Sequence, residues 1–561
     1  MILIAISWIY ILFTTINFGF AFGRLLKLNV SFIVTSILGL FSITLLASSW
    51  AILGRINYEF HIGLLFLNGV LVLSYRHQIA ALYKNFIFEI CQLEKNLKIL
   101  SIIISVLIIA QCASPPFIID NESYYIPTIK WINEFGLVKG LGNLHLYLTQ
   151  TSGWHITQSV FNFSFLYGKF NDLSGFCLLL GNVFAIQKLN QYFKTKDSSF
   201  LAIGLFPLAN ILLFQFISTP SPDIPIYVFS FIIFSFLLEN QKKMDTDVFS
   251  IVTVLVLFCV YIKTTAAALC LFPVIIIIQD IKKIRIGKIV LVSITVLALF
   301  IVKNTIVTGH PFFPIIKKID GLALDYQIPE NIARLYYKAS AFHATESDEG
   351  TGIAELFWKW ITLPKLHGLF NKSGILIAFL SPVILFRFLN EKRYWILYCV
   401  MIAQLVLLLW ASPQYRFFLN FILLFSFLFM TLLIRSRKSI LAVNYIVALI
   451  TAFILFVPLH IGGLANNEYS FYSSTFSYRN LIFPHQNSKY EPDFRLVRNG
   501  NLNYYSPRNI DFFWGIGDCP LPSAKKECID YFETKYGVTP QMRTDALRDG
   551  FFAKKIATTT K

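Results

Sequence analysis

Long apolar runs recur along most of this 561-residue chain, and they constrain its fold more than any other feature. Many of them approach the ~20 residues that an α-helix needs to cross a bilayer. Hydrophobic residues make up 56% of the chain and charged residues only 14%, which is far from the composition of a soluble globular domain. The sequence therefore predicts an all-α polytopic membrane protein of about 14 transmembrane helices. The clearest runs are residues 2–22, 31–53, 198–216, 288–302, 417–434 and 440–460.

The net charge of +17 is distributed in a way that argues against nucleic-acid binding. Its densest clusters are short and lie between apolar runs: Lys242–Lys243, Lys282–Arg285 and Arg435–Lys438. Such clusters mark the cytoplasmic loops of membrane proteins. When these loops are placed inside, loops 116–155 and 305–372 and everything after about 463 fall on the outer side. We therefore expect the chemistry of this protein on its outer face.

Two stretches leave the number of crossings open. Residues 156–187 are long for one span, and a short re-entrant helix broken near Gly168 would explain the length. Residues 248–279 would bury Lys263 at the centre of the bilayer if they formed one span. An unpaired lysine at that depth costs several kcal/mol. We therefore predict two short spans with Lys263 at the outer surface.

The sequence divides the chain into three parts. Residues 1–97 are predicted to be N-terminal accessory helices, and residues 98–462 the main transmembrane module. Residues 463–561 have mixed charge, frequent tyrosine and turn-rich pieces, which predicts a small α+β domain outside the membrane. Cys519 and Cys528 lie close together in it, and in an oxidising compartment we expect them to form a disulfide.

The first outer loop contains an acidic pair, Asp120 and Glu122, directly after a span. Carboxylates near hydrocarbon carry a desolvation cost, so they indicate function. They can also cap the amphipathic helix that residues 122–135 predict, and the two roles are compatible. Tyr124 and Tyr125 follow at once in the same loop.

Further candidates lie at the predicted outer ends of spans. Lys263, Lys303 and Arg416 are placed where a lipid headgroup would lie, although cations there can also be interfacial anchors. Three histidines, His145, His155 and His310, are candidates to contact phosphate or metal, although histidines in such positions are more often hydrogen-bonded structural residues. The His343–Glu349 segment is acidic and flanked by glycine, which favours a mobile loop over the site rather than a metal centre.

Four motifs in this order resemble the GT-C superfamily of membrane glycosyltransferases. They are Asp120–Glu122, Ser221-Pro222-Asp223, Lys303-Asn304-Thr305 with Thr308–Pro314, and Pro413-Gln414-Tyr415-Arg416-Phe417. The similarity covers about residues 115 to 420, and the spans before residue 98 depart from the usual pattern. Residues 98–462 would then be a GT-C-like catalytic module.

The resemblance implies an inverting transfer of a sugar from a polyprenyl-phosphate donor to an envelope glycan or a lipid-linked saccharide. Asp120 would be the base, and Glu122 would orient the acceptor or join Asp120 in holding a divalent cation, Mg or Mn. Arg416, Lys303, Lys263 and His310 would bind the donor phosphate. Residues of the first loop and Asp223 would face the acceptor: Tyr124, Tyr125, His145 and His155.

Two alternatives remain open. A polysaccharide polymerase or ligase would use a polyprenyl-pyrophosphate oligosaccharide, and it would depend on Arg and His rather than on an early acidic pair. A lipid-linked glycan transporter would carry buried polar residues along a path and repeated halves. The resemblance also favours a bacterial inner membrane, with the site on its periplasmic face.

Overall fold

The computed structural model describes residues 1–168, 170–240, 244–280, 284–316, 324–341, 352–462, 469–473 and 476–556. The chain is mostly helical, and ten helices among these residues are long and apolar enough to cross a membrane. The prediction of a multi-pass, mainly α-helical membrane protein is confirmed at this level. The predicted basic loops 242–243 and 282–283 and the acidic segment 343–349 lie outside the described residues.

The α-helices in chain order are α1 (Ile2–Leu26), α2 (Phe32–Leu53), α3 (Tyr58–Cys91), α4 (Lys95–Cys112), α5 (Ile126–Phe135), α6 (Gly153–Phe161), α7 (Leu173–Thr195), α8 (Ser198–Gly204), α9 (Asn210–Leu213), α10 (Asp223–Glu239), α11 (Thr246–Ile262), α12 (Leu271–Asp280), α13 (Gly287–Thr308), α14 (Glu330–Ala341), α15 (Ile353–Ile361), α16 (Lys365–Phe388), α17 (Lys392–Ala411), α18 (Leu419–Leu433), α19 (Arg437–Phe456) and α20 (Lys526–Tyr536). The ten long apolar segments are α1–α4, α7, Ser198–Phe216, α13, α16, α17 and α19. Three shorter apolar segments are α11, Thr264–Gln279 and α18.

Small residues let α1 and α2 approach closely. A Cβ atom built on Gly19 would lie 1.8 Å from the Thr35 oxygen, and one on Gly39 would lie 1.8 Å from the Thr15 oxygen. The Thr15 and Ser36 hydroxyls hydrogen-bond across the same contact at 2.8 Å. Close backbone approach through small residues is how membrane helices associate without a hydrophobic driving force.

The structure divides both ambiguous stretches. Residues 156–187 contain the end of α6 and most of α7, and Gly168 lies in the connection between these helices. The predicted break at Lys263 is confirmed, because α11 ends at Ile262 and Lys263 has an extended backbone. Within the protein, Lys263 is largely buried, and it forms an ion pair that offsets the cost of its burial. Its position at the outer surface of the membrane stays a prediction.

The predicted loops contain more structure than the sequence indicated. The helix predicted at 122–135 is a π-helical turn, Asn121–Tyr125, continued by α5. Most of its residues are buried, and Lys130 on α5 donates to the Asp518 carboxylate at 3.0 Å. Loop 305–372 begins later than predicted, since α13 continues to Thr308, and it contains α14 and α15.

We call the described residues 469–473 and 476–556 the C-terminal segment. They form two antiparallel hairpins, one α-helix (α20) and two short 3-10 helices. The strands are β1 (Phe494–Asn499) paired with β2 (Leu502–Pro507), and β3 (Val538–Met542) paired with β4 (Phe551–Lys555). The segment contacts the helix bundle near the start of α1 and the end of α4, where Leu3 N–H donates to Ile482 and His485 N–H donates to Ala113.

The predicted disulfide between Cys519 and Cys528 is absent, since both cysteines are free and buried. Cys528 lies in the first turn of α20, and its Sγ donates to the Phe513 carbonyl at 2.7 Å. The Cys519 backbone instead faces α5, where its carbonyl accepts from Lys130 Nζ at 2.9 Å. The short spacing in sequence does not bring the two thiols together because α20 begins between them.

Candidate functional site

The ends of several helices meet the first loop at one end of the bundle, and each contributes a charged side chain there. Asp120 follows α4, Asp223 begins α10, and Lys263 follows α11. Lys303 lies in the last turns of α13, and Arg416 lies in the turn between α17 and α18. Helix ends place side chains at fixed positions on rigid elements, so this arrangement can hold a preorganised site.

Arg416 is the centre of the charged group. Its Nη1 atom lies 2.6 Å from Asp120 Oδ2 and 3.7 Å from Asp223 Oδ2. Its Nε atom donates to Gln414 Oε1 at 2.8 Å, and its backbone carbonyl accepts from the Tyr227 hydroxyl at 2.7 Å. The guanidinium is therefore oriented by both side-chain and backbone contacts, which suits it to binding an oxyanion in a defined geometry.

Asp223 also pairs with Lys263, through the lysine Nζ and the aspartate Oδ1. The Lys263 ammonium lies 4.0 Å from the centre of the Phe417 ring, so a cation–π contact supplements the ion pair. Asp223 is only 2% exposed. It therefore acts as a buried anchor that fixes two cations rather than as a group open to a ligand.

Lys303 is the third cation, and it is buried in α13. Its Nζ donates to the Thr151 carbonyl at 2.5 Å and lies 5.4 Å from the Tyr261 ring centre. Within the described ranges, no carboxylate lies close enough to form an ion pair with it. A buried charge without a counterion is costly, so the Thr151 carbonyl and the Tyr261 ring are the contacts that offset the burial of Lys303 in the described structure.

A cavity of about 420 Å³ contains this charged group. Asp120, Lys263, Lys303 and Arg416 all line it. With Asp223, which lies just outside the lining and pairs with Lys263 and Arg416, the described charged group has a formal net charge of +1 when every side chain is counted in its ordinary ionised form. The volume lies in the range of pockets that hold small ligands.

The other end of the cavity is apolar and reaches the surface. Phe312, Ile315, Leu407 and Trp410 line it there. Trp410 is 82% exposed and Ile315 is 64% exposed, so these side chains border an opening. Trp410 belongs to α17, one of the helices long and apolar enough to cross a membrane.

Glu122 lies outside this cavity lining, although only one residue separates it from Asp120. Its Oε1 accepts from the Tyr469 hydroxyl at 2.6 Å and from the Lys489 N–H at 2.9 Å. Its Oε2 accepts from the Ser488 hydroxyl at 2.7 Å. Burial raises the pKa of Glu122 above the ordinary glutamate value, against the effect of these donors. In the structure Glu122 joins the first loop to the C-terminal segment.

The residues present do not fit a divalent cation shared by the acidic pair. The Glu122 oxygens are occupied by donors from the C-terminal segment, and Asp120 is paired with Arg416. Across the described residues, no group of three or more His, Cys, Asp or Glu side chains could hold a metal ion.

Two of the three histidine candidates serve the local structure. His145 Nε2 contacts the Trp514 carbonyl at 3.1 Å, and burial lowers the pKa of this histidine to about 4. His310 Nε2 contacts the Ile328 carbonyl at 2.9 Å, and its Nδ1 contacts Gln327 at 3.2 Å. Neither His145 nor His310 lines the cavity that holds Arg416.

His155 does line the cavity. Burial, together with the nearby ammonium groups of Lys303 and Lys263, lowers the pKa of His155 to about 3, so its ring is neutral. Tyr124 also lines the cavity, whereas Tyr125 is fully buried behind it, with its hydroxyl 3.5 Å from Asp120 Oδ2.

Sequence reasoning missed Tyr147 and Phe512, which also line the cavity. Tyr147 stacks on Tyr124 with ring centres 5.9 Å apart, and the Trp514 ring meets its edge at 4.9 Å. Phe512 belongs to the C-terminal segment. Its place in the cavity depends on a contact between parts of the chain almost 400 residues apart, and no local pattern indicates that contact.

Comparison with protein families gives one match. The model of a family described as a domain of unknown function (DUF8201) matches residues 1–423. No curated protein and no solved structure matches the chain. The matched range contains every charged residue of the cavity but not the C-terminal segment, which supplies Phe512 and the partners of Glu122.

Proposed function

We propose that this chain, which belongs to the DUF8201 family, is a membrane glycosyltransferase that takes a sugar from a polyprenyl-phosphate donor. The observation that carries this proposal is the cavity itself, which joins a cationic end at Arg416, Lys263 and Lys303 to an apolar opening at Trp410. A lipid-linked phosphate requires both features within one site. The acceptor is a growing envelope glycan or a lipid-linked saccharide, as the GT-C resemblance suggests.

The charge balance supports a monophosphate donor. A phosphodiester carries one negative charge, which matches the excess of one positive charge among the described ionised groups. A pyrophosphate-linked donor carries two and would leave a net negative charge in a water-poor site, where uncompensated charge is costly. The polymerase or ligase alternative is therefore less well matched to this cavity.

Asp120 and Arg416 take successive roles in the proposed mechanism. The donor phosphate binds Arg416 and Lys303 and thereby competes with Asp120 for the guanidinium. The released Asp120 carboxylate accepts the proton of the acceptor hydroxyl as its oxygen attacks the anomeric carbon. The bond from that carbon to the phosphate oxygen breaks, and polyprenyl phosphate leaves with the electron pair. Cations fixed beside the leaving phosphate stabilise the charge that develops on it.

The proposed topology places this site on the outer face. The basic residues Lys188 and Arg435–Lys438 lie at the end of the bundle opposite Arg416, as expected for cytoplasmic loops. The ten long segments, the three shorter ones and α10 together supply the roughly 14 crossings that we propose. The C-terminal segment then forms a small α+β domain outside the membrane, and a bacterial cytoplasmic membrane is the proposed location.

Mass spectrometry of polyprenyl lipids tests this function in cells that carry the wild-type chain or Asp120→Asn. We expect the variant to accumulate a polyprenyl-monophosphate sugar, whose mass would identify the sugar class. Asp493→Asn, which changes an exposed carboxylate of the C-terminal segment, is the matched control and should leave the lipid pool unchanged. Accumulation of a pyrophosphate-linked oligosaccharide would instead favour the polymerase, and an unchanged pool would contradict the transferase.

A further inference from the structure

The cavity has a third wall that neither binds the phosphate nor borders the lipid opening. Tyr124, Tyr147 and Phe512 form it. The two tyrosines are almost parallel, with 25° between their ring planes, and Asp120 lines the same cavity. Aromatic rings with hydroxyl groups are suited to sugars, because they offer apolar faces together with hydrogen bonds.

One polar group of this wall, the hydroxyl of Tyr147, has no hydrogen-bond partner among the described residues. The Tyr147 side chain lines the cavity and is 7% exposed, although its hydroxyl oxygen is buried. Buried polar groups in folded proteins are nearly always hydrogen-bonded, so an unpaired hydroxyl beside a cavity points to a missing partner. A ligand hydroxyl would supply that partner.

The C-terminal segment holds this wall in place. Lys525 Nζ donates to the Phe512 carbonyl at 2.8 Å, and Trp514 packs against Tyr147. Two residues further on, Ile516 N–H and Gly517 N–H both donate to the Glu122 carbonyl at 2.8 Å. Phe512 is thus held within the C-terminal segment by Lys525, and its neighbours Trp514, Ile516 and Gly517 attach this part of the segment to the first loop.

We infer that Tyr124, Tyr147 and Phe512 form a subsite for an uncharged sugar ring, with the C-terminal segment as part of the active site. This inference rests on the proposed function and specifies its substrate. One phosphate charge already balances the net positive charge of the described groups, and the wall itself carries no charge. A uronic acid or another acidic sugar would place a second negative charge beside Asp120, where like charges repel.

Ligand affinities measured on the purified full-length chain in lipid nanodiscs test the inference. The probes are farnesyl phosphate, farnesyl phosphate carrying glucose, galactose or mannose, and the corresponding uronic acids. We expect at least one neutral conjugate to bind about 10-fold or more tightly than its uronic acid counterpart. A uronic acid that binds as tightly as every neutral sugar would overturn the inference.

Tyr147→Phe removes only the hydroxyl and keeps the packing with Trp514. It should weaken the preferred sugar conjugate by about 3- to 10-fold and leave farnesyl phosphate unchanged. Tyr478→Phe, at an exposed tyrosine outside the cavity, is the matched control. If Tyr147→Phe does not fold, Tyr124→Phe serves the same purpose. An equal loss for both ligands, or no loss for either, would overturn the sugar subsite. Failure of the wild-type protein to bind farnesyl phosphate and every one of its sugar conjugates would overturn the proposed function itself.

Discussion

Arg416 Nη1 lies 2.6 Å from Asp120 Oδ2, although 296 positions of sequence separate the two residues. The same Nη1 atom lies 3.7 Å from Asp223 Oδ2. Asp120 therefore forms an ion pair with Arg416 in the structure. An anionic ligand that binds Arg416 must weaken this ion pair. The base that we propose becomes available only when a phosphate is present, which would limit unproductive chemistry without donor.

Arg416→Lys should reduce affinity for the donor although the positive charge is kept. Lysine cannot reproduce the planar fork, which contacts Asp120 and Gln414 in the structure and binds the phosphate in the proposed mechanism. Loss of one charged hydrogen bond corresponds to an affinity about 10- to 100-fold weaker. Farnesyl phosphate binding to purified protein measures this effect. Arg508→Lys is the control, because Arg508 and its partner Asp493 are more than half exposed. If both variants bind farnesyl phosphate with equal affinity, Arg416 does not bind the donor and is an interfacial anchor.

Asp120→Asn should separate binding from transfer. Without the base, we expect transfer to fall by about 10²- to 10⁴-fold. Donor binding should be retained or become tighter, because the amide no longer pairs with the Arg416 guanidinium as an ion. Transfer assays and binding to farnesyl phosphate on the same preparation give both values. Near-normal transfer, or a loss of binding as large as the loss of transfer, would remove Asp120 as the base.

Much of the transmembrane architecture could be read from the sequence, because hydropathy acts locally and spans end where apolar runs end. The break at Lys263 was also predictable from local sequence, because an unpaired lysine at the centre of a single long span would be too costly. The ion pair between Lys263 and Asp223 was not predictable, because it depends on how α10 and α11 pack. The roles of the two first-loop acids also differ for a reason that only tertiary structure supplies, since Glu122 faces the C-terminal segment and Asp120 faces the cavity.

Glu122→Gln should change the free energy of unfolding by an amount that depends on pH. The pKa of Glu122 is raised in the folded protein, so folding favours the protonated carboxyl group. The stability that the protonated carboxyl group contributes is fully present below the pKa of an unfolded glutamate, about 4.3. It is lost as the pH rises through the higher pKa that Glu122 has in the folded protein. Glutamine cannot titrate, so the stability of wild type relative to Glu122→Gln should fall as pH increases above about 4.3. Thermal unfolding of both proteins over this pH range measures the trend.

A second substitution of glutamate by glutamine serves as the control for this pH dependence. Glu527 is more than half exposed in α20, so Glu527→Gln should show no such trend relative to wild type. A constant stability difference between wild type and Glu122→Gln at every pH would contradict the raised pKa of Glu122.

Cys519 and Cys528 should behave as two buried thiols rather than as a disulfide. Without any reductant, both should react slowly with a maleimide in the folded protein and rapidly once the protein is denatured. Cys91 is exposed and should react at once in the folded state, which provides the internal control. If the two cysteines react in denatured protein only after reduction, they are bonded to each other and the free thiols of the structure are incorrect.

Gly39→Leu should prevent the N-terminal helices from packing. A Cβ at position 39 would lie 1.8 Å from the Thr15 carbonyl oxygen, and backbone cannot move aside as the end of a flexible side chain can. The variant must therefore separate α1 from α2, and overpacking of this kind costs at least about 1–3 kcal/mol. Gly63→Leu is matched to it, because a Cβ on Gly63 in α3 meets no atom within 4 Å. We expect the amount of folded, detergent-extractable protein to fall sharply for Gly39→Leu and to stay near wild type for Gly63→Leu, and similar yields for both would contradict the close α1–α2 contact.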